Sequence, residues 1–97
     1  GKGRIELLKK IDELGSLSKA AKAMNMSYKA AWDSLNEMKN LSNKELIISN
    51  TGGSGGGGSK LTKSAKEYIK MYELLYKSQQ EFLKAIESHT KNFSDLQ

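Results

Sequence analysis

The side chains best suited to chemistry in this 97-residue sequence are polar and aromatic groups between residues 17 and 36. Lys and Asn can hydrogen-bond the edges of guanine and adenine, and a Ser hydroxyl beside helix N-terminal amides can bind a phosphate. Ala20 and Ala21 are small enough to let a second helix approach closely. The pattern predicts two short helices joined by a tight turn, as in a helix-turn-helix that braces its second helix in a DNA major groove. An ordinary helical corner is the alternative.

The predicted second helix of this unit begins at the cap Ser27 and runs to about Lys39. Tyr28 and Lys29 lie in its first turn, where base edges are most easily reached. Trp32 either packs in the core or reads DNA. Its predicted inner face is Ala31, Leu35 and Met38, and the predicted DNA-binding residues of the chain are Ser18, Lys19, Ser27, Tyr28, Lys29, Trp32, Asp33, Asn36, Gly55, Gly56, Lys60 and Lys63.

The remaining reactive side chains do not indicate catalysis. The chain has no Cys, and His89 alone cannot build a zinc site. The carboxylates at residues 12–13 and at Glu73, Glu81 and Glu87 have Lys neighbours at helical spacing, where ion pairing is the ordinary role. We therefore expect no enzymatic activity, no metal and no cofactor.

The charge distribution favours a polyanionic partner. Residues 1–66 carry twelve basic and six acidic side chains, a net of +6, whereas residues 67–97 carry four and five, a net of −1. A localised basic excess suits nucleic-acid binding, although a merely solvated Lys-rich surface is the alternative. No apolar run approaches the roughly 18 residues of a membrane span, and the first residues lack the apolar core of a signal peptide. We therefore expect a cytoplasmic protein without a membrane partner.

Helices should position these groups, because the chain contains no Pro to break them and no Val to favour strands. Apolar residues at helical spacing predict a first helix that ends at Gly15. The next helix, around residues 19–24, can be capped by Ser16 or Ser18. Asn25 then lies in the turn, where a left-handed backbone is tolerated.

A hairpin is predicted after the third helix. Residues 46–48 form the only convincing strand, the glycine-rich stretch 51–59 follows it, and Lys60 and Leu61 return. The glycine run has three interpretations: a phosphate-binding loop, an engineered linker, or a wing whose bare backbone approaches a sugar-phosphate chain. A Walker loop is disfavoured because Ser59 separates Gly58 from Lys60.

A long amphipathic helix should begin at the cap Thr62 and extend to about residue 89. Apolar side chains recur three and four residues apart, and only Gln79 interrupts them. The second half of this helix extends beyond the part of the chain that residues 1–61 could cover, so its apolar side chains need a partner. We expect residues 1–61 to form a DNA-binding part, 62–89 the long helix of the same domain, and 90–97 a frayed tail. A helical protein–protein interaction module with a non-functional basic surface is the rival interpretation.

Several stretches resemble the N-terminal domain of the molybdate-dependent transcriptional regulators, the ModE family, and more distantly the LysR-type regulators. They are Ser27-Tyr28-Lys29-Ala30-Ala31-Trp32-Asp33, Asn36-Glu37-Met38, Thr51-Gly52-Gly53, Gly55-Gly56-Gly57-Gly58 and Leu61-Thr62. The resemblance covers roughly residues 4–83 and implies a mainly α fold. That fold is a winged helix-turn-helix with a two-stranded Gly-rich wing and a long C-terminal dimerisation helix. The glycine run is then a native wing.

The resemblance also implies a homodimer on a palindromic double-stranded DNA operator, joined through the first and last helices. The implied interface residues are Ile5, Leu8, Tyr68, Tyr72, Leu75, Phe82, Leu83 and Ile86. Family members commonly carry basic residues where Ser49 and Ser54 stand, so this wing should hold phosphate less firmly. The family senses molybdate through a C-terminal domain that nothing after Ile86 could form, so we expect molybdate to act only through a domain absent from this chain.

Overall fold

The computed structural model describes residues 2–50 and 58–95, and it confirms a mainly α winged helix-turn-helix. Three helices come first, α1 (Lys2–Leu14), α2 (Leu17–Ala23) and α3 (Tyr28–Ser42). A two-stranded sheet follows, with β1 (Ile47–Asn50) antiparallel to β2 (Gly58–Leu61), and a long helix α4 (Lys63–Asp95) completes the chain.

Side-chain caps and left-handed residues define the ends of the short helices. Ser16 rather than Ser18 caps α2, and the Ser27 hydroxyl oxygen accepts the Ala30 amide hydrogen at 3.0 Å to begin α3. Asn25, in the turn between the two helices, has φ of 55° as predicted. α3 ends at Ser42, three residues later than predicted, because Asn43 also adopts a left-handed backbone and terminates it.

One hydrophobic core joins the three short helices, the hairpin and the first turn of α4. Ile5 and Leu8, expected at a dimer interface, are 2% and 0% exposed within the monomer, so they pack mainly inside the chain and their place at an interface stays a prediction. Helical spacing shows that a residue is buried but not which element buries it, and here the covering elements belong to the same chain. The core residues are Ile5, Leu7, Leu8, Ile11, Leu17, Ala20, Ala21, Ala31, Leu35, Met38, Leu46, Leu61 and Ala65.

Backbone contacts fix the hairpin against the helices. The Ser59 amide donates to the Gly15 carbonyl at 2.8 Å, which ties β2 to the turn between α1 and α2. A Cβ on Gly58 would come within 3.3 Å of the same carbonyl oxygen, so glycine allows this close approach. Gly58 therefore belongs to the anchored strand rather than to the glycine tip in which the sequence placed it. Leu46, predicted to begin the first strand, instead precedes β1 as a buried core residue.

Thr62 joins the hairpin to α4. Its hydroxyl donates to the Glu45 carbonyl at 2.7 Å and accepts the Ala65 amide hydrogen at 3.1 Å, while its own amide donates to Leu46 at 3.0 Å. These bonds confirm Thr62 as the cap of the long helix. They also fix the direction of α4 relative to the head, by which we mean α1, α2, α3 and the hairpin. The helix continues through residues 90–95 to Asp95, beyond its predicted end near residue 89. No Gly or Pro lies there to stop it.

Candidate nucleic-acid interface

The first turn of α3 presents large side chains to solvent. Ala31, Leu35 and Met38 are buried as predicted, which orients the opposite face outward. On that face Tyr28 is 57% exposed and Trp32 is 50% exposed. The exposed surface of these two large side chains is accessible to a macromolecular partner.

Two of the predicted DNA-binding residues are paired with each other. The Lys29 ammonium lies 2.9 Å from an Asp33 carboxylate oxygen, one helical turn away. The hydrogen bond from Lys29, together with the Asp33 charge, raises the pKa of Lys29 above its ordinary value. Both side chains remain largely exposed, so the pair is solvent-screened and can open when a stronger hydrogen-bond acceptor approaches. The carboxylate therefore holds the ammonium beside Asp33, one turn along α3 from Lys29.

Trp32 is half-exposed, so the structure leaves its predicted role in reading DNA a prediction. One part of the ring lines a cleft of about 190 Å³ between α3 and β1, together with Asn36 and Ser49. The other part is exposed, as given above. The cleft joins the outer face of α3 to the base of the hairpin.

The wing places polar side chains beside this cleft. Ser49 is paired with Ser59 across the hairpin, and Lys60 is paired with Ile48, so successive pairs face opposite sides of the sheet. Lys60 and Ile48 are exposed, and Ile48 retains 55% of its surface. The predicted contacts Gly55 and Gly56 lie outside the described residues.

The exposed lysines of α2 and the hairpin base have no acidic partner among the described residues. Salt bridges occupy Arg4 and several other basic side chains elsewhere, with Glu37, Glu73, Glu13 and Glu45 as the partners. No such bridge involves Lys19, Lys22, Lys60 or Lys63 in the part of the chain that the structure describes. Lys22 was missing from the predicted set, although its spacing of three from Lys19 places both on one helix face.

The serines predicted to contact DNA at the starts of α2 and α3 are exposed, and one of them also caps its helix. The Ser27 oxygen is engaged as the α3 cap, which leaves its hydroxyl hydrogen to donate. Ser18 is exposed in the first turn of α2 and does not cap it. Asn36 is exposed on the same helix as Tyr28 and two turns further on.

The proposed self-association surface lies on α4. Tyr68, Leu75, Phe82, Leu83 and Ile86 are all exposed, whereas Tyr72 is half-buried against the core. Tyr72 and Tyr76 stack with ring centroids 6.4 Å apart. They form one wall of a groove of about 380 Å³ whose other wall is α1, lined there by Ile5 and Lys9 among others.

A salt bridge spans one edge of this groove. The Lys9 ammonium lies 2.9 Å from a Glu73 carboxylate oxygen, and that hydrogen bond raises the pKa of Lys9. The pair links α1 to α4 beside the groove.

Neither a metal site nor a membrane span is found in residues 2–50 and 58–95. No group of three or more His, Cys, Asp or Glu side chains is close enough there to hold an ion. Of the helices described, none combines the length and apolarity needed to cross a bilayer.

Comparison with known proteins identifies relatives of this chain. Residues 3–66 match the model of the bacterial regulatory helix-turn-helix proteins of the lysR family. A transcriptional regulator ModE from Yersinia pestis is 48% identical over 77 residues, which is 79% of this chain and 29% of that protein. The DNA-binding transcriptional dual regulator ModE from Escherichia coli strain K12 is 49% identical over 77 residues, with the same coverage.

A solved structure supports the fold independently. ArgP from Mycobacterium tuberculosis superposes with a TM-score of 0.59 at 14% identity, covering 87% of this chain and 30% of that one. At that identity the likeness concerns the fold alone. The chain thus spans less than a third of the length of each of these proteins.

Proposed function

Because the chain belongs to the lysR family of bacterial regulatory helix-turn-helix proteins, we propose that it binds a palindromic DNA operator as a homodimer. Its resemblance to ModE regulators, expected from the sequence, is confirmed, and the family is one of DNA-binding transcription regulators rather than enzymes. The observation that carries the proposal is the outward face of α3, where large exposed side chains adjoin a cleft shared with the wing.

In this proposal α3 enters the major groove. Tyr28 and Lys29 lie in its first turn, closest to the base edges, and Asn36 supplies an amide suited to adenine two turns later. Asp33 holds the Lys29 ammonium until guanine acceptors replace the carboxylate. The exposed edge of Trp32 contacts the sugar-phosphate chain where α3 meets the wing.

Phosphate contacts come from the lysines without acidic partners. Lys19 and Lys22 on α2, with Lys60 and Lys63 at the hairpin base, can each neutralise one phosphate. A dimer would use eight such contacts, for which counterion release gives a salt slope of about −7 in log K against log salt concentration.

The homodimer places two copies of α3 on one operator. Two-fold symmetry of the protein requires two-fold symmetry of the DNA, with half-sites spaced by about 34 Å or a multiple of it. The exposed apolar face of α4 supplies the contact between copies.

We propose no molybdate site in the described residues. The exposed lysines would hold a dianion only weakly in water at physiological salt.

Fluorescence titration of a labelled 30-base-pair duplex over a range of salt concentrations tests the proposal. We expect a slope near −7 that falls to about −4 in the double variant Lys19→Gln/Lys22→Gln, because four of the eight phosphate contacts are lost per dimer. The matched control Lys70→Gln/Lys84→Gln removes the same charge from α4 and should leave the slope nearly unchanged. Weak, salt-insensitive binding would favour the rival helical interaction module.

A further inference from the structure

An ion pair occupies the centre of the outward face of α3. The three buried side chains Ala31, Leu35 and Met38 define the inner face of this helix. At about 100° per residue, Lys29 and Asp33 both fall within about 30° of the opposite direction. Their side chains are 86% and 55% exposed. A helix that enters the major groove along this direction therefore brings the Lys29–Asp33 pair close to the base edges.

The carboxylate of this pair needs a new hydrogen-bond donor when Lys29 binds guanine. In the free chain the Lys29 ammonium lies 2.9 Å from an Asp33 carboxylate oxygen. The proposed function transfers that ammonium to guanine acceptors, which leaves the carboxylate beside a polyanion without its cation. A carboxylate that loses its partner in an interface weakens binding. A base that donates a hydrogen bond to Asp33 removes this cost.

The edge of a G·C base pair supplies that donor at the required distance. Guanine presents the acceptors N7 and O6 in the major groove, and its paired cytosine presents the N4 amino group as a donor. O6 and N4 are hydrogen-bonded to each other within the base pair, so they lie about 2.9 Å apart. The ammonium and carboxylate are separated by the same 2.9 Å. The ion pair is therefore complementary to this edge in both charge and spacing.

We propose that Lys29 and Asp33 together read one G·C base pair in each half-site. Lys29 donates to guanine O6 and N7, and Asp33 accepts the N4 hydrogen of the paired cytosine that base pairing leaves unused. The proposal rests on the DNA binding of the proposed function, and it adds a base contact and a specificity role for Asp33.

The specificity role of Asp33 follows from the other base pairs. In the reversed pair, C·G, the ammonium faces the cytosine amino group and the carboxylate faces guanine acceptors, so both contacts are repulsive. In A·T and T·A the amino group lies between two acceptors, so the carboxylate finds a donor while the ammonium keeps a single acceptor. A lysine acting alone distinguishes the two orientations of G·C less, because its long flexible stem can reach guanine on either strand. We therefore expect G·C to bind best, both A·T orientations next, and C·G worst.

Competition binding on four duplexes tests this order. The starting duplex is one that the unmodified chain selects from a random pool, and the tested position is the one that Lys29→Ala relaxes. The four versions carry G·C, C·G, A·T or T·A at that position in both half-sites. The unmodified chain should bind the G·C duplex at least about tenfold more tightly than the C·G duplex, with both A·T orientations in between.

Replacement of the carboxylate by an amide should change the order at the same position. The carboxamide of Asp33→Asn both donates and accepts, which suits adenine N6 and N7. This variant should bind an A·T duplex at least as tightly as the G·C duplex, and its discrimination against C·G should fall at least about fivefold. Asp12→Asn is the matched control, because it removes the same charge from an exposed position on α1 and should leave the order unchanged. Circular dichroism melting checks that the head of each variant remains folded.

The outcomes separate this proposal from the proposed function. If the chain selects an operator but Asp33→Asn keeps the order of the unmodified chain, the shared base pair is overturned and operator binding stands. The same conclusion follows if Lys29→Ala and Asp33→Asn relax different positions, or if the unmodified chain prefers C·G or A·T at the position that Lys29→Ala relaxes. A chain that selects no duplex sequence overturns both proposals.

Discussion

Two glutamates on the exposed apolar face of α4 should separate the proposed dimer without unfolding the rest of the chain. Leu75 and Phe82 are 65% and 64% exposed, so neither contributes appreciably to the monomer core. At about 25 cal/mol per Å², covering their remaining surface is worth about 3 and 4 kcal/mol, or at most about 14 kcal/mol for two copies. Half of that total, about 7 kcal/mol, corresponds to a roughly 100,000-fold change in the dissociation constant.

Sedimentation equilibrium of Leu75→Glu/Phe82→Glu at about 10 µM, with circular dichroism melting alongside, measures both effects. We expect a monomer whose melting temperature is within a few degrees of that of a diluted, unmodified monomer. Operator affinity should fall when dimerisation is lost, because a monomer makes only half of the DNA contacts of the proposed dimer.

The matched control is Leu74→Glu/Ser88→Glu. Leu74 is 59% exposed, close to the value for Leu75, but the helix rotation of about 100° per residue turns it away from the face that carries Leu75 and Phe82. Ser88 is exposed and also lies about 120–140° from these two residues around the helix. The control introduces the same charge and should remain dimeric. If the control and the test variant dissociate equally, or if the unmodified chain is already monomeric at tens of micromolar, the dimer reasoning is wrong.

Other consequences of the structure are open to single measurements. Lys29→Ala should weaken operator binding by about 1–3 kcal/mol and blur preference at one position per half-site; equal losses on specific and random duplex would reassign Lys29 to a phosphate. Asp33→Asn should tighten binding to random duplex a few-fold in the same titration, because a carboxylate leaves the α3 surface; weaker binding would show that Asp33 favours random duplex as well. Gly58→Ala should lower the free energy of unfolding by about 1–2 kcal/mol, since its Cβ crowds the Gly15 carbonyl; a thermal melt without change would refute that crowding. Calorimetry with molybdate should give no heat of binding, because exposed lysines hold a dianion only weakly in water; a micromolar site would refute this.

The order of elements could be predicted from the sequence because its local signals agree. Ser27 and Thr62 are caps at the helix starts where they were expected, and Asn25 has the left-handed backbone that its turn requires. Each of these signals depends on a few neighbouring residues, so no tertiary information was needed.

Partners of buried residues could not be predicted in the same way. Ile5 and Leu8 show the same periodicity whether their neighbours come from one chain or two, and only the folded head shows that α1 is covered internally. Met71 shows the converse, because this large apolar side chain of α4 is 62% exposed. Burial depends on where the other elements lie, and that is a long-range property.

The candidate DNA interface was predicted in part. Exposure of Tyr28 and the outward direction of α3 follow from helical periodicity. The Lys29–Asp33 pair could have been inferred from spacing of four residues, but it was not, and neither was the accessible Lys22. The Trp32 cleft depends on the angle between α3 and the hairpin, which no local pattern encodes.

Selection of bound duplexes from a random pool tests the central proposal most directly. The unmodified chain should enrich a pseudo-palindrome whose half-site centres are 10–10.5 base pairs apart or a multiple of that spacing. Lys29→Ala should enrich the same symmetry with one position per half-site relaxed. Enrichment of an asymmetric single site, or of no sequence at all, would contradict a homodimeric operator-binding regulator.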